Sequence, residues 1–331
     1  MSLQQPSMGY DLIGDIHGCA NTLVRLLKKL GYRRKDGVFQ HPQRQAVFLG
    51  DIVDRGPRIR EALHIVRDMV LAGQARMVMG NHEYNALCYC TKREDRPWET
   101  LREHNARNER MIRETLAAFA MHPKEWEGFL EWFMTLPLFI EEPHFRVVHA
   151  CWHEELIRDL VKRLPDGVMD YEFLQASVKP GSPEYQVIDV LTRGTNLRLP
   201  DGRFIQSRDG VHRRAFRTSY WVAEPVTYGE VLFQPDPLPE DIARMPISGQ
   251  DRAELLYYGE EHRPLFIGHY WREGNPAPLT GNIACLDYSA VKYGKLVAYR
   301  MDSEHRLHPG KFVWVDVKPN DTEQQEVPVS L

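Results

Sequence analysis

The 331-residue sequence has no long apolar run and few cysteines. No stretch approaches the roughly 20 apolar residues of a membrane-spanning helix, and residues 1–10 lack the basic and apolar regions of a signal peptide. The cysteines are Cys19, Cys88, Cys90, Cys151 and Cys285. Their number is odd and they form no Cys-x-x-Cys pair, so neither a disulfide framework nor a zinc ribbon is indicated. We therefore expect reduced thiols and a cytoplasmic protein.

An excess of positive charge is also absent. The chain has 42 lysines and arginines against 46 acidic residues, a formal net charge of −4, so broad nucleic-acid binding is not expected. Missing too is the glycine-rich phosphate loop of cysteine-dependent phosphatases. Cys19 and Arg25 have the required Cys-x5-Arg spacing, as do Cys90 and Arg96, but the first pair spans the start of an amphipathic helix and the second encloses acidic residues.

Five short polar motifs are present, and each directly follows an apolar run. They are Gly-Asp-Ile-His-Gly at 14–18, Gly-Asp-Ile-Val-Asp-Arg-Gly at 50–56, Gly-Asn-His-Glu at 80–83, His149, and Gly268-His269. The apolar runs before them, at 10–13, 46–49, 77–79, 145–148 and 264–267, predict buried strands. The motifs would then lie at the carboxyl ends of the strands, where α/β sheets place their sites.

The residue types in these motifs suit a two-metal phosphoester hydrolase. In-line attack on a phosphoryl group benefits from two divalent ions about 3.5–4 Å apart, which activate a hydroxide and neutralise phosphate oxygens. The carboxylate of Asp51 can give one oxygen to each ion. Asp15 and His17 would complete the shell of the first ion. Asn81, His149 and His269 would serve the second ion.

The first three motifs resemble the signature blocks of the calcineurin-like metallophosphoesterases, and the ending at 53–56 resembles the phosphoprotein-phosphatase branch, which includes bacterial serine/threonine phosphatases and diadenosine tetraphosphatases. The resemblance implies the six ligands named above. It also implies that His82 is the general acid, that Asp54 orients His82, and that Arg55 binds the phosphate. Many nuclease members of this superfamily have a second histidine two residues after the first. Here Tyr270-Trp271 follows Gly268-His269, so that second histidine is missing. This favours the same branch and leaves the first ion with one nitrogen ligand fewer.

We predict an α/β fold over residues 1–331 as a single domain: two mixed β-sheets in a sandwich, flanked by helices, with inserted cap regions. Leucines at 23, 26, 27 and 30 share one helical face before Gly31, and apolar residues at 59, 63, 66 and 70 repeat the pattern. Candidate strands at 283–286, 296–300 and 312–317 are expected to form the second sheet.

Two insertions separate the motifs. The first, about 84–143, is helical, and its aromatic residues at 126, 129, 132 and 133 predict a packing face. The second, about 154–263, is expected to form a substrate cap. Within it, residues 193–217 contain no lysine but seven arginines: Arg193, Arg198, Arg203, Arg208, Arg213, Arg214 and Arg217. They suit either bidentate phosphate contact or an exposed loop, and we select Arg217 as the second substrate-binding arginine.

The leading functional hypothesis is a phosphomonoesterase resembling protein serine/threonine phosphatases. The alternatives are a dinucleoside polyphosphate hydrolase, an RNA-end phosphatase or phosphodiesterase, and, more remotely, a non-catalytic phosphate-binding module. The expected cofactors are two divalent metal ions, with Mn²⁺ first and Fe, Zn²⁺ or Co²⁺ also compatible with the ligand set. The expected partner is a phosphorylated protein or a nucleotide, and no membrane is expected.

Overall fold

A computed structural model describes residues 8–206, 212–233 and 237–318. The helices are α1 Ala20–Leu30, α2 Ile59–Leu71, α3 Asn81–Cys90, α4 Ala106–Phe119, α5 Pro123–Phe133, α6 Glu154–Arg163, α7 Tyr171–Ser177, α8 Pro183–Arg193, α9 Glu240–Ala243 and α10 Gly249–Glu254. The strands are β1 Gly9–Ile13, β2 Arg33–Lys35, β3 Val38–Gln40, β4 Arg44–Phe48, β5 Ala75–Met77, β6 Phe139–Glu141, β7 Arg146–Val148, β8 Asn196–Arg198, β9 Ile205–Gln206, β10 His212–Arg213, β11 Ala215–Arg217, β12 Leu265–Ile267, β13 Ile283–Cys285, β14 Asp287–Tyr288, β15 Lys295–Met301 and β16 Phe312–Asp316.

Two mixed sheets form the centre of the protein. The first has the order β14-β15-β1-β4-β5, with β16 also paired to β15. In it β1, β4 and β5 are parallel, whereas β15 runs antiparallel to β1. The second sheet has the order β13-β12-β7-β6, in which β12 is parallel to both β7 and β13, and β6 is antiparallel to β7. The expected mixed-sheet architecture is confirmed.

The assignment of all three late strands to the second sheet was wrong. Only 283–286 contributes to it, through β13, whereas the strands predicted at 296–300 and 312–317 belong to the first sheet as β15 and β16. The apolar pattern of a strand reports that the strand is buried, but not which distant strand it pairs with.

Alternate residues of the central strands face different layers, because successive side chains of a strand point to opposite sides. Leu12 and Val47 lie in a core shared with the second sheet, where Phe266 contacts Tyr299 across the interface at 5.1 Å between ring centroids. Ile13 belongs to the larger core formed with the helices. The two sheets are therefore packed face to face, with helices outside.

The predicted amphipathic helices form as expected. The leucines of α1 at 23, 26, 27 and 30 are buried, and the helix ends at Gly31, whose φ of 100° supplies the left-handed cap. In the first insertion, the aromatic residues of α5 at 126, 129, 132 and 133 are all buried, which agrees with a packing face. Within the described residues, no helix combines the length and apolar character needed to cross a membrane.

The second insertion contains a small core of its own. Leu197 of β8 and Phe216 of β11 pack with Tyr228 and Ile242 in a cluster separate from the two main cores. The short sheets β8–β11 and β9–β10 belong to this part of the chain. The single-domain organisation, the insertion boundaries and the role of this segment as a cap stay predictions.

Candidate metal centre and active site

The five motifs meet at one edge of the sandwich. Because β1, β4 and β5 are parallel neighbours, the residues that follow them, Asp15, Asp51 and Asn81, lie side by side. The second sheet brings its own two motifs to the same edge, since β7 and β12 are also parallel. His149 follows β7 and His269 follows β12.

The turns that carry these residues are closely packed and strained. Gly50 has a φ of 97°, and a Cβ atom there would lie 2.6 Å from the Cα of Gly80, so this position requires glycine. His17, Asp51 and His269 have positive φ values of 43°, 54° and 61°. Such conformations in non-glycine residues cost on the order of 1–3 kcal/mol each and concentrate at functional sites.

Asp51 lies at the centre of the site. Its Oδ2 atom is 3.4 Å from His149 Nε2, 3.7 Å from His17 Nε2 and 3.9 Å from His82 Nε2. Its Oδ1 atom accepts a hydrogen bond from the backbone N–H of His82 at 3.0 Å. One carboxylate thus faces imidazole nitrogens that come from both sheets.

The remaining candidate ligands surround this carboxylate. Asn81 Oδ1 is 3.1 Å from His149 Nε2 and 2.8 Å from His269 Nδ1. Asp15 Oδ2 accepts the backbone N–H of His269 at 3.0 Å. Potential ligand atoms of Asp51, His149 and His269 lie within 4.8 Å of one another, and so do those of His17, Asp51 and His82. The structure therefore brings together all six predicted ligands.

Several atoms of this cluster are placed as metal ligands would be. His17 Nδ1 contacts Val53 O at 2.8 Å and His149 Nδ1 contacts Leu49 O at 2.6 Å, so the Nε2 atom of each ring faces the centre of the site. Asp15 Oδ1 and His269 Nε2 are buried without a hydrogen-bond partner. Because buried polar atoms are rarely left unsatisfied, these residues fit divalent cations.

The electrostatic environments of the Asp51 and Asp15 carboxylates differ. Burial opposes ionisation of Asp51, but the nearby imidazoles of His149 and His82 hold its pKa well below the usual value. Burial and the neighbouring Asp287 raise the pKa of Asp15. Despite its burial, His149 has its pKa raised to about 10 by Asp51. A cation that binds His149 must displace its proton, so metal affinity at this site depends on pH.

A second set of residues lies beside the candidate ligands. His82 Nδ1 is 2.6 Å from Asp54 Oδ2, and His82 Nε2 is 3.0 Å from Arg55 Nη2. Because a guanidinium only donates, His82 Nε2 accepts from Arg55 and His82 Nδ1–H donates to Asp54. Asp54 is held in turn by Thr115 of α4, whose hydroxyl accepts the Asp54 N–H at 3.0 Å and donates to Asp54 Oδ1.

The buried side chain of Glu83 supports the turn that contains Asp51. Its Oε2 atom accepts the N–H groups of Asp51 at 2.8 Å and Gly80 at 3.1 Å. Its Oε1 atom accepts those of Ile52 at 2.7 Å and Val53 at 3.3 Å. One carboxylate therefore joins the second motif to the third.

The site opens into a cavity of about 870 Å³ that is lined by both acidic and basic residues. The three carboxylates that line it are Asp15, Asp51 and Asp287, of which the first two belong to the candidate metal ligands. The basic lining residues are Arg55, Arg102, Arg107, Arg193, Arg213, Arg217 and Lys292. Another cavity of about 800 Å³, between α1 and α2, contains none of the site residues.

The predicted arginines of the second insertion divide into two groups. Arg193, Arg213 and Arg217 line the cavity; Arg217 lies near the Tyr270 ring, and burial lowers its pKa. Arg198, Arg203 and Arg214 are exposed and are not among the lining residues, and Arg203 pairs with Asp241. Arg208 lies outside the described residues.

Sequence reasoning missed several residues of the site. Glu83 could have been found, because it stands at the third helical position after Gly80, as in a capping box. Thr115, Asn85 and Arg102 carry no recognisable motif. Asp287, a buried residue in β14, directly follows the strand predicted at 283–286, and a single aspartate in that position belongs to none of the motifs.

Comparison with known proteins agrees with this geometry. Residues 9–194 match the family model described as calcineurin-like phosphoesterase. The bis(5′-nucleosyl)-tetraphosphatase PrpE (asymmetrical) of Halalkalibacterium halodurans is 32% identical over 183 residues, which cover 53% of this chain and 70% of the relative. The protein of the same name from Bacillus subtilis is 30% identical over 179 residues, which cover 53% and 71% of the two chains.

Among solved structures, a protein serine/threonine phosphatase from Saccharomyces cerevisiae aligns with a TM-score of 0.48 and 16% identity, covering 98% of this chain and 82% of that one.

Proposed function

Because this chain belongs to the calcineurin-like phosphoesterase family, and is thus a hydrolase of phosphoric ester bonds, we propose that its substrates are dinucleoside polyphosphates. Two observations support this substrate class. The curated relatives described above are named bis(5′-nucleosyl)-tetraphosphatases. The cavity beside the candidate ligands carries seven basic residues along its walls, which is more positive charge than one phosphate group requires. This basic cavity is the observation that carries the proposal.

The family uses a binuclear metal centre, and the residues of this site fit one. When bound, two divalent cations would neutralise phosphate charge and lower the pKa of the attacking water. We assign Asp15, His17 and the shared Asp51 to one ion. Asp51 is also assigned to the other ion, together with Asn81, His149 and His269. Mn²⁺ is the first ion to test, because a mixed carboxylate, amide and imidazole set accepts it as well as Fe, Zn²⁺ or Co²⁺.

His82, Asp54 and Arg55 would act on the substrate. Arg55 presents a planar fork that suits two phosphate oxygens, and in binding them it would release its hydrogen bond to His82 Nε2. His82 could then carry a proton on Nε2 and donate it to the leaving oxygen, while Asp54 at 2.6 Å stabilises the imidazolium. Arg217 would contact the phosphate from the cap side of the cavity.

A phosphomonoesterase acting on phosphoproteins is the second candidate. It is favoured by the presence of Asp54 and by its short contact with His82, since a strong proton donor is needed for the poor leaving group of phosphoserine.

Because the chain belongs to a family of phosphoester hydrolases, we do not retain the hypothesis of a non-catalytic phosphate-binding module. The five free thiols support the further proposal that the enzyme works in the cytoplasm.

The test is a substrate comparison with the Mn²⁺-loaded protein. Diadenosine tetraphosphate, a phosphoserine peptide, p-nitrophenyl phosphate and RNA 2′,3′-cyclic phosphate are assayed in parallel. We expect the highest kcat/KM with diadenosine tetraphosphate, with hydrolysis of one bridging P–O bond to AMP and ATP rather than to two ADP. A higher kcat/KM with the phosphopeptide would overturn the proposal in favour of the second candidate.

Two variants test the residue assignments. Asn81→Ala should bind one metal ion fewer than the wild type, as measured by elemental analysis after chelation and reloading. His82→Asn should keep the metal content but lose about 10²- to 10⁴-fold in kcat on substrates with poor leaving groups. Unchanged metal stoichiometry in Asn81→Ala would show that the ligand set is wrong.

A further inference from the structure

Two arginines from distant segments meet at one amide oxygen of the cavity wall. Arg102, from the first insertion, and Arg193, the last residue of α8, both donate to Asn85 Oδ1, the latter at 3.0 Å. All three residues line the cavity that contains the candidate metal ligands. Two guanidinium groups that share a neutral acceptor repel each other, and an anion between them would remove that repulsion.

The charge of this arginine pair is only partly compensated. Arg193 forms an ion pair with Asp189 at 3.2 Å. The other acceptor of Arg102 is a neutral amide, Asn108 Oδ1, at 3.2 Å, and no carboxylate pairs with Arg102 in the described ranges. Burial and the adjacent Arg193 lower the pKa of Arg102. The pair therefore has about one positive charge in excess, in a half-buried position.

The pair lies beyond the metal centre along α3. Asn85 comes one helical turn after Asn81, so the two side chains share a face of the helix and are separated by about 6 Å along its axis. An anion held by Arg102 and Arg193 would thus sit near the reacting phosphate but apart from it. Consecutive phosphates of one polyphosphate chain have this relation to each other.

We propose that Arg102, Arg193 and Asn85 form a second phosphate subsite, which binds a later phosphate of the substrate chain while the first reacts beside Asp51. The subsite rests on the proposed function and makes its substrate class more definite: a polyphosphate rather than a single phosphate ester. Paired guanidinium forks give such a group several charge-assisted hydrogen bonds. A phosphomonoester cannot reach both positions, so the subsite discriminates between the two substrate classes.

The experiment compares two inorganic inhibitors of p-nitrophenyl phosphate hydrolysis by the Mn²⁺-loaded enzyme at fixed free Mn²⁺. Tripolyphosphate can occupy both positions, whereas orthophosphate occupies only the reacting one. In Arg102→Gln and in Arg193→Gln, the Ki of tripolyphosphate should rise about 10- to 100-fold relative to the Ki of orthophosphate. Arg113→Gln, an exposed arginine on α4, is the matched control and should change neither constant.

Two further results are part of the test. Arg102→Lys keeps the charge but not the fork, and should give an intermediate Ki. If Arg102→Gln fails to fold, the Ki of tripolyphosphate in Arg102→Lys tests the subsite in its place. A proportional rise of both Ki values, or no change in either, would overturn the subsite. Failure of the wild type to hydrolyse diadenosine tetraphosphate would defeat the proposed function, while the inhibitor comparison would still decide the subsite.

Discussion

Replacing Glu83 by glutamine tests whether this buried carboxylate holds in place the turns that carry the candidate metal ligands. The wild-type side chain accepts four backbone N–H groups, two on each oxygen. Glutamine has nearly the same shape but replaces one oxygen by an NH2 donor. Whichever way the amide is turned, two backbone N–H groups face a donor instead of an acceptor.

The size of the effect follows from these contacts. Hydrogen bonds to a charged acceptor contribute about 1.5–3 kcal/mol each, so losing two would cost about 3–6 kcal/mol. Part of this is offset, because burial and the nearby Asp51 already raise the pKa of Glu83 and so disfavour its charged form. We expect a net destabilisation of about 2–4 kcal/mol.

Urea unfolding, followed by tryptophan fluorescence with and without metal, measures the loss. Glu127→Gln is the control, since Glu127 is exposed on α5. Because the Asp51 backbone would also be released, metal affinity should fall about 10- to 100-fold. A urea midpoint equal to that of the control, together with wild-type metal affinity, would refute this account of Glu83.

Three further predictions concern other parts of the structure. Thr115→Val should lower kcat about tenfold on substrates with poor leaving groups, because Asp54 loses both contacts with the Thr115 hydroxyl. Thr115→Ser keeps the hydroxyl and should retain activity. An equal loss of kcat in both variants would contradict this prediction. Burial raises the pKa of Cys88 to about 11, so the reactive thiolate forms only towards that pH. Iodoacetamide labelling of native Cys88, read by mass spectrometry, should therefore be slow near neutrality and accelerate as pH rises. Gly50→Ala should abolish cooperative thermal unfolding, because the added Cβ meets Gly80; a wild-type melting curve would be inconsistent with this.

Much of the site was predictable because its parts are local. Each candidate ligand occupies a short motif directly after an apolar strand, and the chemistry of two divalent cations favours carboxylate, amide and imidazole donors. The sequence could not show that β15 would pair with β1. The two antiparallel partners are nearly 300 positions apart, and the residues of neither strand indicate which strand it pairs with. Nor could it separate Arg193, which lines the cavity, from the exposed Arg198.

The amino-acid sequence by itself was enough to predict the candidate ligands, His82 as the proton donor and Arg55 as the phosphate-binding arginine, because turn geometry and donor chemistry are encoded within a few consecutive residues. Only the tertiary structure decided which other side chains support them. Thr115 reaches Asp54 across 61 positions, and Arg193 reaches Asn85 across 108. Such contacts arise from the packing of the insertions on the core and on each other, which depends on the whole buried surface and not on any local pattern.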